Sequence, residues 1–464
     1  MIRPIILAGG VGSRLWPLSS DDLPKQFISI NNEISLFQKT ILRFSSEAYH
    51  EPLIITNSNF YAIVEEQLNH IDKASSLILL EQIQKNTCPA ILISLLSIEN
   101  DEDILVVPSD HLFEDDLVFN KNILSAKEFI NDNIVIFGIN PTEPNTGYGY
   151  LHLKEPKNGN NITSFIEKPS INNAQKYIES GEYFWNSGLI LAKKSLLLDQ
   201  IQKYCPEIVD FCLNAHQILQ ENKHSKLIDI NAMKDCPSIS IDYGVLEKTK
   251  EIVFFEIETD WNDMGSWDSF YKKLPKDSNN NYISGNVINL GTKNSLIISE
   301  DKIVSSIGLE NIVIIDTAAG LLVSDIRETQ NIKSLKLMID DIDADKNIIG
   351  LTNRRPWGNY VTIFKGENFQ LKLISVNIGH KLSVQKHFKR AEHWIVVRGQ
   401  ATVEIDEAIL TLELNEHCYI PKESIHSLEN KKNELLQIIE LQYGSYLGED
   451  DIVRYDDRYG RIKD

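Results

Sequence analysis

The first third of the chain alternates short runs of β-branched and aliphatic residues with segments of helical pattern. The apolar runs lie at residues 2–7, 53–56, 77–80, 104–107 and 134–138. Strands that alternate with helices predict βαβ units, in which helices cover both faces of a mixed, mostly parallel sheet. Because such sheets bind ligands at the carboxyl ends of their strands, functional residues are expected in the loops that follow these runs.

The sequence pattern changes near residues 275–281, a turn-forming segment that contains no large apolar residue. Very short strands then follow at regular spacing, at 286–290, 295–298, 303–307, 312–316 and 320–323, which predicts a small β-helix-like module. From Pro356 onward, strands separated by tight turns predict a compact antiparallel barrel or sandwich. We therefore predict three domains: a Rossmann-like α/β domain at 1–275, a β-rich solenoid-like linker module at 276–345 and a β-barrel at 346–464.

The net charge limits which partners the chain can bind, and the cysteines indicate its cellular location. The chain carries 46 basic and 66 acidic residues, a net charge of −20, which argues against binding to nucleic acid or to an anionic membrane. Its longest apolar stretch, Ala90 to Ile98, is far too short to span a bilayer. The five cysteines are scattered and form no Cys-x-x-Cys pair, which predicts reduced thiols and a cytoplasmic location.

A glycine-rich loop follows the first predicted strand. It contains Gly9, Gly10, Gly12, Ser13 and Arg14, and Lys25 lies shortly after it. Glycines at this place let backbone N–H groups approach phosphate oxygens, and Arg14 and Lys25 would add positive charge. The spacing fits neither the dinucleotide fingerprint nor the Walker P-loop. The alternative is an ordinary glycine-rich turn beside two surface cations.

Two acidic residues follow later strands. Asp110, within Val-Pro-Ser-Asp-His at 107–111, is well placed to hold Mg²⁺ that bridges nucleotide phosphates, although a helix N-cap is the alternative. Asp263, within Trp-Asn-Asp-Met-Gly-Ser-Trp at 261–267, supplies another carboxylate. Glu167 and Lys168 taken alone are an ordinary surface ion pair. Their meaning depends on the order of all the motifs together.

That order resembles the mannose-1-phosphate guanylyltransferase family. The motifs are G-G-x-G-S-R-L-W-P-L (9–18), P-K-Q-F (24–27), P-S-D-H (108–111), T-G-Y-G-Y (146–150), F-I-E-K-P (165–169), N-S-G (186–188) and W-N-D-M-G-S-W (261–267). The resemblance covers residues 1–270 and implies that Arg14 and Lys25 hold the triphosphate, and that Asp110 and Asp263 bind Mg²⁺. It implies a wider nucleotide-binding set of Gly9, Gly10, Gly12, Ser13, Arg14, Lys25, Asn86, Thr87 and Ser109. The sugar-phosphate pocket would be lined by Tyr148, Gly149, Glu167, Lys168 and Asn186.

The chain departs from this family in one loop. The family usually has Glu-Pro-x-Gly-Arg-Asn-Thr-Ala-Pro-Ala, whereas residues 81–90 place Gln84 and Lys85 at the glycine and arginine positions. Glutamine adopts a positive φ less easily than glycine, and lysine lacks the planar fork of arginine. A transferase that uses another nucleobase or hexose is therefore an alternative.

The C-terminal region contains a candidate metal site. Gly379, Gln385, His387, Glu392 and Gly399 have the spacing G-x5-Q-x-H-x4-E-x6-G, and Pro421, His426 and Asn430 follow. Alternate residues of a strand share a face, so Gln385 and His387 can point together into a barrel. With Glu392 and His426 they would form a mixed nitrogen and oxygen site suited to Zn²⁺ or another divalent ion. Structural histidines are the alternative.

The spacing resembles the cupin barrel, except that Glu423 stands where the cupin pattern has glycine. The surrounding motifs resemble type II mannose-6-phosphate isomerases. These motifs are R-P-W-G-x-Y (355–360), L-S-x-Q-x-H (382–387), R-A-E-H-W (390–394) and Y-L-G-E-D-D-I (446–452). The resemblance implies that the metal polarises the sugar carbonyl while a base moves a proton between C1 and C2 through an enediol. Arg390 and Arg355 are candidates for phosphate binding, and His393 is the candidate base. Its position next to Glu392 on a strand counts against His393, because neighbouring residues face opposite sides.

The leading hypothesis is a bifunctional enzyme. It would transfer GMP from GTP to mannose 1-phosphate, giving GDP-mannose and pyrophosphate, and would interconvert fructose 6-phosphate and mannose 6-phosphate. A guanylyltransferase whose cupin domain is catalytically silent is the main alternative, and a sugar-nucleotide sensor without catalysis is another. The expected partners are these small substrates, with no nucleic acid and no membrane. A homodimer formed through the β-rich middle is also expected.

Overall fold

The structure, a computed structural model, describes residues 1–10, 12–29, 34–73, 77–221, 226–343, 350 and 352–456. The chain forms two compact units, and each is described by itself. The first unit contains Met1–Gly12 and Leu23–Lys273, and the second contains Ser13–Asp22 and Leu274–Asp464. The predicted division at 275 and 345 stays a prediction, and its second boundary lies outside the described residues.

The first unit is a sheet covered by helices. Its strands are β1 (Ile2–Leu7), β2 (Leu53–Asn57), β3 (Leu77–Glu81), β4 (Asp103–Pro108), β5 (Leu112–Phe113), β6 (Ile134–Ile139), β7 (Gly149–His152), β8 (Ser164–Glu167), β9 (Tyr183–Lys193), β10 (Leu227–Ile228), β11 (Ile252–Glu256) and β12 (Trp261–Asn262). Its α-helices are α1 (Leu36–Arg43), α2 (Tyr61–His70), α3 (Thr87–Leu96), α4 (Asp116–Ala126), α5 (Ile171–Ser180), α6 (Lys194–Tyr204), α7 (Pro206–Glu221), α8 (Ile230–Met233) and α9 (Trp267–Lys273).

The main sheet has the strand order β10-β3-β2-β1-β4-β9-β6-β11. The pairs from β10 to β4 are parallel, as is the pair of β6 and β11. Strand β9 runs antiparallel to both β4 and β6, and the hairpin of β7 and β8 extends from it. The predicted mixed, mostly parallel sheet is confirmed.

Both faces of this sheet are buried, which explains the continuous apolar runs of its strands. In β4, Ile104 and Val106 pack into one core while Leu105 and Val107 pack into the other. All four side chains are fully buried. A strand covered on both faces has no position for a polar side chain along its length. In β4, polar groups therefore lie at the strand ends and in the loop that follows.

The second unit contains a β-rich module and a C-terminal barrel. Its strands are β13 (Tyr282–Leu290), β14 (Leu296–Ile307), β15 (Ile312–Thr317), β16 (Gly320–Asp325), β17 (Thr352–Arg355), β18 (Gly358–Lys365), β19 (Phe369–Val376), β20 (Val384–His387), β21 (Arg390–Arg398), β22 (Ala401–Ile405), β23 (Ala408–Leu412), β24 (His417–Ile420), β25 (His426–Glu429), β26 (Leu436–Gly444) and β27 (Ile452–Asp456). Helix α10 (Ile332–Asp343) follows β16. The barrel consists of two sheets, ordered β17-β18-β19-β26-β21-β24 and β23-β22-β25-β20-β27.

The β-rich module has parallel coils, as the solenoid-like prediction requires. Strand β14 pairs in parallel with β13 and β15, and β16 then pairs antiparallel with β15. The sequence predicted separate strands at 295–298 and 303–307, but these are one strand, β14. Between them the backbone N–H of Lys302 donates to the Asp316 carboxylate at 3.3 Å. This bond supplies a partner where the register of the ladder shifts, so the strand continues.

No helix in the described part of the chain is long and apolar enough to cross a membrane. All five cysteines are buried free thiols.

Gly285 gives a test of the β-rich module. Its φ is +82°, and a Cβ atom there would lie 1.8 Å from the Ser299 carbonyl oxygen, whereas Gly291 has φ +73° and open space around it. Gly291→Ala should cost only the left-handed backbone penalty, about 1–2 kcal/mol. Gly285→Ala must also displace β14 and should be clearly more destabilising. Hydrogen exchange measured on peptides from β13 and β14 should accelerate much more in Gly285→Ala, and equal acceleration would contradict this packing.

Candidate functional sites

A cleft of about 400 Å³ lies in the first unit at the carboxyl ends of β1 to β4. The predicted nucleotide-binding residues that line it are Gly9, Gly10, Asn86, Thr87, Ser109 and Asp110. Gln26 also lines the cleft, and the sequence reasoning quoted it in a motif without giving it a role. Its buried amide donates to the carbonyl oxygens of Ala8 and Gly10 at 3.2 and 2.7 Å. Gln26 therefore fixes the path of the glycine-rich loop.

Helix α3 begins at one wall of the cleft. Asn86 is its N-cap, and the side-chain oxygen accepts a hydrogen bond from the backbone N–H of Thr87. The φ of Asn86 is +70°, a conformation that asparagine tolerates better than most residues. The Thr87 hydroxyl accepts from the backbone N–H of Ile241 at 2.8 Å. The N-terminus of a helix attracts anions, so this wall is suited to a phosphorylated ligand.

Lys25 joins the two predicted magnesium ligands. Its Nζ lies 3.0 Å from Oδ2 of Asp110 and donates to the backbone carbonyl of Asp263 at 2.6 Å. Burial would raise the pKa of Asp110, but the charges of Lys25 and His111 hold it below its ordinary value. A Cβ atom on Gly12 would lie 2.8 Å from Cγ of Lys25, so Gly12 allows this close approach.

The donor set at this edge fits Mg²⁺. The ion prefers hard oxygen ligands and is usually held by one or two carboxylates together with substrate phosphates. Asp110 offers an ionised carboxylate, and the Asp263 carboxylate is oriented by a hydrogen bond from the Tyr148 hydroxyl at 2.9 Å. His111 was quoted in a motif but not predicted as a site residue. Its Nε2 lies 3.7 Å from Oδ1 of Asp110, and Trp261 donates to its Nδ1 at 3.4 Å.

The predicted sugar-phosphate residues form a connected group. Gly149 pairs with Glu167 across the β7–β8 hairpin, and the backbone N–H of Lys168 donates to the Tyr148 carbonyl. The Lys168 ammonium lies 2.6 Å from a Glu167 carboxylate oxygen. A Cβ atom on Gly149 would lie 2.7 Å from the other oxygen of Glu167 and 3.0 Å from the Phe165 ring, so a side chain there would displace Glu167 or Phe165.

Asn186 lies against a residue that the sequence reasoning missed. Its side-chain amide donates to the Asp242 carboxylate at 3.2 Å. Burial raises the pKa of Asp242, and the nearby charge of Glu167 raises it further. Asp242 begins a π-helical turn at 242–246, a local irregularity that hydrophobic periodicity does not reveal.

Ser13 and Arg14 belong to the second unit, whereas the other predicted nucleotide-binding residues belong to the first. They form part of the 3₁₀-helix Ser13–Leu15. Arg14 is exposed, and the side chain of Ser13 lies outside the described residues. Their predicted contact with a triphosphate stays a prediction.

The loop that departs from the family is also placed by specific bonds. The Gln84 amide lines the cleft and donates to the carbonyl of Gly9. Lys85 donates to the carbonyl of Lys234 at 2.6 Å and does not line the cleft. Glu81, at the end of β3, is a cleft residue that the sequence reasoning did not single out. Burial raises the pKa of its carboxyl to about 8.

Glu81 makes the stability of the first unit depend on pH. An unfolded glutamate has a pKa of about 4.3, so between about pH 5 and 8 the unfolded chain releases a proton that the folded chain keeps. Folding stability therefore falls as the pH rises, by at most about 1.4 kcal/mol per pH unit. Glu81→Gln removes this loss, so its stability relative to wild type should increase from pH 5 to 8 in urea titrations. The exposed Glu99→Gln is the control, and a constant difference for Glu81→Gln would contradict the burial effect.

The barrel of the second unit contains a compact group of metal-binding side chains. In the described part of the chain, the ligand atoms of His387, Glu392 and His426 all lie within 4.8 Å of one another, and all three residues are buried. Oxygen atoms of Glu392 lie 3.2 Å from Nε2 of His387 and 3.8 Å from Nε2 of His426. The structure thus brings together three of the four predicted ligands. The fourth, Gln385, pairs with His426 in the ladder. It lines a pocket of the barrel that Glu392 also lines, called the barrel pocket below.

His426 supports the fit of a metal ion. Its Nδ1 lies 3.0 Å from the Ser424 carbonyl, which can only accept, so Nδ1 carries the proton. The lone pair is therefore on Nε2, a buried atom without a hydrogen-bond partner. A histidine fixed in this way by a backbone carbonyl is typical of a metal ligand. The residues present therefore fit a divalent ion such as Zn²⁺.

A row of polar side chains holds Glu392 in place. The Arg390 Nε, Trp394 Nε1 and Gln442 Nε2 atoms donate to its carboxylate at 3.1, 3.1 and 3.0 Å. Burial would raise the pKa of Glu392, but the charges of His387 and Arg390 lower it to about 2. The neighbouring Glu440 is the opposite case, because burial and the charge of Glu392 raise its pKa. The surroundings therefore favour the ionised form of Glu392 and the protonated form of Glu440.

The geometry bears on two predicted roles in the barrel. Arg390 is buried and lines the pocket, and its guanidinium is bound to Glu392, to the Gly448 carbonyl at 2.9 Å and to His387 at 3.4 Å. It therefore orients Glu392, and its predicted contact with a phosphate stays a prediction. His393 is exposed and packs on the Tyr419 ring, on the opposite face of β21 from Glu392. Strand alternation thus keeps it out of the pocket that contains Glu392.

The same pocket contains charged residues that the sequence reasoning did not assign. Arg355 lines it as predicted, and its guanidinium donates to the Tyr360 hydroxyl at 3.3 Å. Lys372 and Glu449 also line it, and they form an ion pair at 2.9 Å. The signal for Lys372 was the alternation of Gln370, Lys372 and Ile374 on the inward face of β19.

Comparisons with known proteins match the chain to three families. Residues 3–280 match the family described as Nucleotidyl transferase, residues 285–336 match the MannoseP isomerase/GMP-like beta-helix domain, and residues 344–457 match Mannose-6-phosphate isomerase C-terminal. A mannose-1-phosphate guanylyltransferase of Salmonella muenchen is 39% identical over 99% of both chains. The alginate biosynthesis protein AlgA of Pseudomonas aeruginosa is 39% identical over 99% of this chain and 97% of that protein.

Two solved structures are similar to parts of the chain. One is titled mannose-1-phosphate geranyltransferase, from Thermus thermophilus, with a TM-score of 0.64 and 25% identity over 73% of this chain and 99% of that chain. The other is a mannose-6-phosphate isomerase of Helicobacter pylori, with a TM-score of 0.50 and 29% identity over 56% of this chain and 99% of that chain. The chain belongs to the family of mannose-1-phosphate guanylyltransferases that carry a β-helix-like module and a C-terminal mannose-6-phosphate isomerase domain.

Proposed function

We propose that the first unit transfers GMP from GTP to mannose 1-phosphate through the group formed by Lys25, Asp110 and Asp263. The observation that carries this proposal is the position of the Lys25 ammonium, which contacts both acidic residues at the edge of the cleft. A phosphate oxygen of mannose 1-phosphate attacks the α-phosphorus of GTP, and pyrophosphate leaves in line. Lys25 offsets the negative charge of the transferred and leaving groups. The guanylyltransferase names of the relatives favour GTP over another nucleotide.

The proposed metal of this site is Mg²⁺, held by Asp110 and Asp263. When bound, it would stabilise negative charge on the phosphate oxygens. Tyr148 orients Asp263, while Glu167, Lys168 and Asn186 are proposed to fix the sugar phosphate for in-line attack. Arg14 is proposed to contact the triphosphate.

We further propose that the barrel interconverts fructose 6-phosphate and mannose 6-phosphate. The supporting observation is the buried group of His387, Glu392 and His426 beside a pocket that also contains Arg355. Together with Gln385 these residues would hold Zn²⁺ or another divalent ion, which would polarise the sugar carbonyl when bound. Arg390 orients Glu392, and Arg355 is the proposed phosphate contact.

We also propose a cytoplasmic location and a homodimer. Free thiols are expected in a reducing compartment, and the five cysteines are free. The β-rich module exposes apolar side chains on β13 and β14, including Ile288, Leu290, Ile303 and Ile307. Exposed apolar patches often mark contacts between proteins. Size measurement in solution would test the dimer.

Two variants separate the two activities. Lys25→Met should reduce pyrophosphate release from GTP and mannose 1-phosphate by at least about 100-fold, because one preorganised charge is lost.

His387→Ala should abolish conversion of fructose 6-phosphate to mannose 6-phosphate measured with added Zn²⁺, Co²⁺ or Mn²⁺. Each variant should keep the other activity and so serves as the control for folding.

The wild-type result decides between the alternatives. If purified protein releases pyrophosphate but shows no isomerase turnover with any of these metals, the cupin domain is catalytically silent. If Lys25→Met retains full pyrophosphate release, the proposed role of Lys25 is wrong.

A further inference from the structure

The barrel pocket contains an ion pair that the proposed function does not use. Glu449 lies in the 3₁₀-helix Glu449–Asp451, within the motif Y-L-G-E-D-D-I, and Lys372 lies on β19. Both residues line the pocket that Gln385 and Glu392 also line. Neither is part of the buried metal-binding group.

The carboxylates of the pocket differ in how accessible they are to a ligand. Among the described lining residues these carboxylates are Glu392, Glu440 and Glu449. Glu392 is bound by three donors and belongs to the metal-binding group. Glu440 is 4% exposed, and both of its oxygens accept hydrogen bonds, from Trp394 and Gln442. Glu449 differs from both, because its side chain is 39% exposed and therefore open to a ligand.

Lys372 fixes the position of Glu449. The lysine side chain is only 4% exposed, and Nζ lies 2.9 Å from Oε1 of Glu449. Lys372 also pairs with Glu440 in the ladder of β19 and β26, and its Nζ lies 4.5 Å from the centre of the Tyr360 ring. The ammonium therefore lies between the Glu449 carboxylate and the face of the Tyr360 ring. The carboxylate therefore has one oxygen anchored, and the exposure of the side chain leaves the group accessible from the pocket.

We propose that Glu449 is the base that moves the proton between C1 and C2 of the sugar phosphate. This inference rests on the proposed isomerase function. It replaces His393, which lies outside the pocket. A carboxylate in a partly enclosed pocket, oriented by a lysine, is an effective group for such a transfer.

The proton transfer balances without an added reagent. In open-chain mannose 6-phosphate, Glu449 takes the proton of C2, the C–H electron pair forms the C1–C2 double bond, and the carbonyl pair moves to O1. The O2 hydroxyl proton then passes to O1. Glu449 returns its proton to C1 as the ketone forms at C2, which gives fructose 6-phosphate. No group is oxidised or reduced overall by an outside partner.

The charge state of Glu449 agrees with this role. Burial would raise its pKa, but the charge and hydrogen bond of Lys372 hold it below the ordinary value. The group is therefore a carboxylate at neutral pH and can accept a proton.

The test compares Glu449→Gln with Asp450→Asn in the full-length protein. Asp450 lies on the same 3₁₀-helix and does not line the pocket, and its carboxylate accepts a hydrogen bond from the Tyr446 hydroxyl at 2.7 Å. Mannose 6-phosphate is incubated in D₂O with Zn²⁺, Co²⁺ or Mn²⁺, and loss of the C2 proton signal is followed by NMR together with turnover. Binding of mannose 6-phosphate is measured by calorimetry, and pyrophosphate release checks the first unit.

Glu449→Gln should slow both exchange and turnover by at least about 100-fold, the usual effect of removing a general base. Its binding of mannose 6-phosphate should change by less than about threefold, while Asp450→Asn should stay within about threefold of wild type in every assay. Turnover of Glu449→Gln near the wild-type rate would overturn this inference and leave the proposed isomerase function standing. An equal loss in both variants, or lost binding in Glu449→Gln, would assign Glu449 a structural role and also overturn it. Wild-type protein with neither exchange nor turnover in any of these metals would overturn the isomerase function and this inference together.

Discussion

Burial of both faces of the central sheet determines where the first unit can carry out chemistry. Residues 104–107 of β4 alternate between two apolar cores, so a charged side chain along the strand would lose its hydration without gaining a partner. The polar groups of the cleft therefore lie where these strands end. Glu81 is the last residue of β3, Asp110 follows β4, and the glycine-rich loop follows β1, and all of them line one cleft. The helix N-terminus at Thr87 completes this cleft from the same edge.

The barrel differs from the central sheet of the first unit, because charged side chains are buried in its interior. Rows of polar residues cross adjacent strands: Gln370, Gln442 and Glu392 in one row, and Lys372, Glu440 and Trp394 in the next. Each buried carboxylate receives donors from its neighbours, which offsets the cost of burial. The two histidines lie at the end of this network. The carboxylate of the metal-binding group is therefore held in one orientation by side chains of the sheet behind it.

The sequence predicted the groups that short motifs encode and missed those that long-range contacts create. Spacing on one strand was enough to place Gln385 and His387 together, and strand ends placed Asp110 at the cleft. Alternation on β21 also gave the correct reason to doubt His393. Asp242 and Glu81 carry no local signal of function, because each acquires its environment from elements far away in the chain. Alternation places Lys372 on the inward face of β19, but its partner Glu449 is again far away in the chain. Arg390 shows a related difficulty: its motif marked the residue, but only the structure shows that the guanidinium holds Glu392.

Departures from the family pattern act differently at the two sites. At the cleft, Gln84 replaces a glycine, yet the positive φ of this loop belongs to Asn86 and not to Gln84. The substitution therefore causes no left-handed strain, and its effect comes from the side chain, which binds the Gly9 carbonyl and occupies part of the cleft wall. In the barrel, Glu423 stands where the cupin pattern has glycine, and its φ is +66°. That position retains the left-handed backbone at a cost of about 1–2 kcal/mol, while its side chain is exposed. The first change thus alters what the ligand meets, whereas the second changes only the stability of a turn near His426.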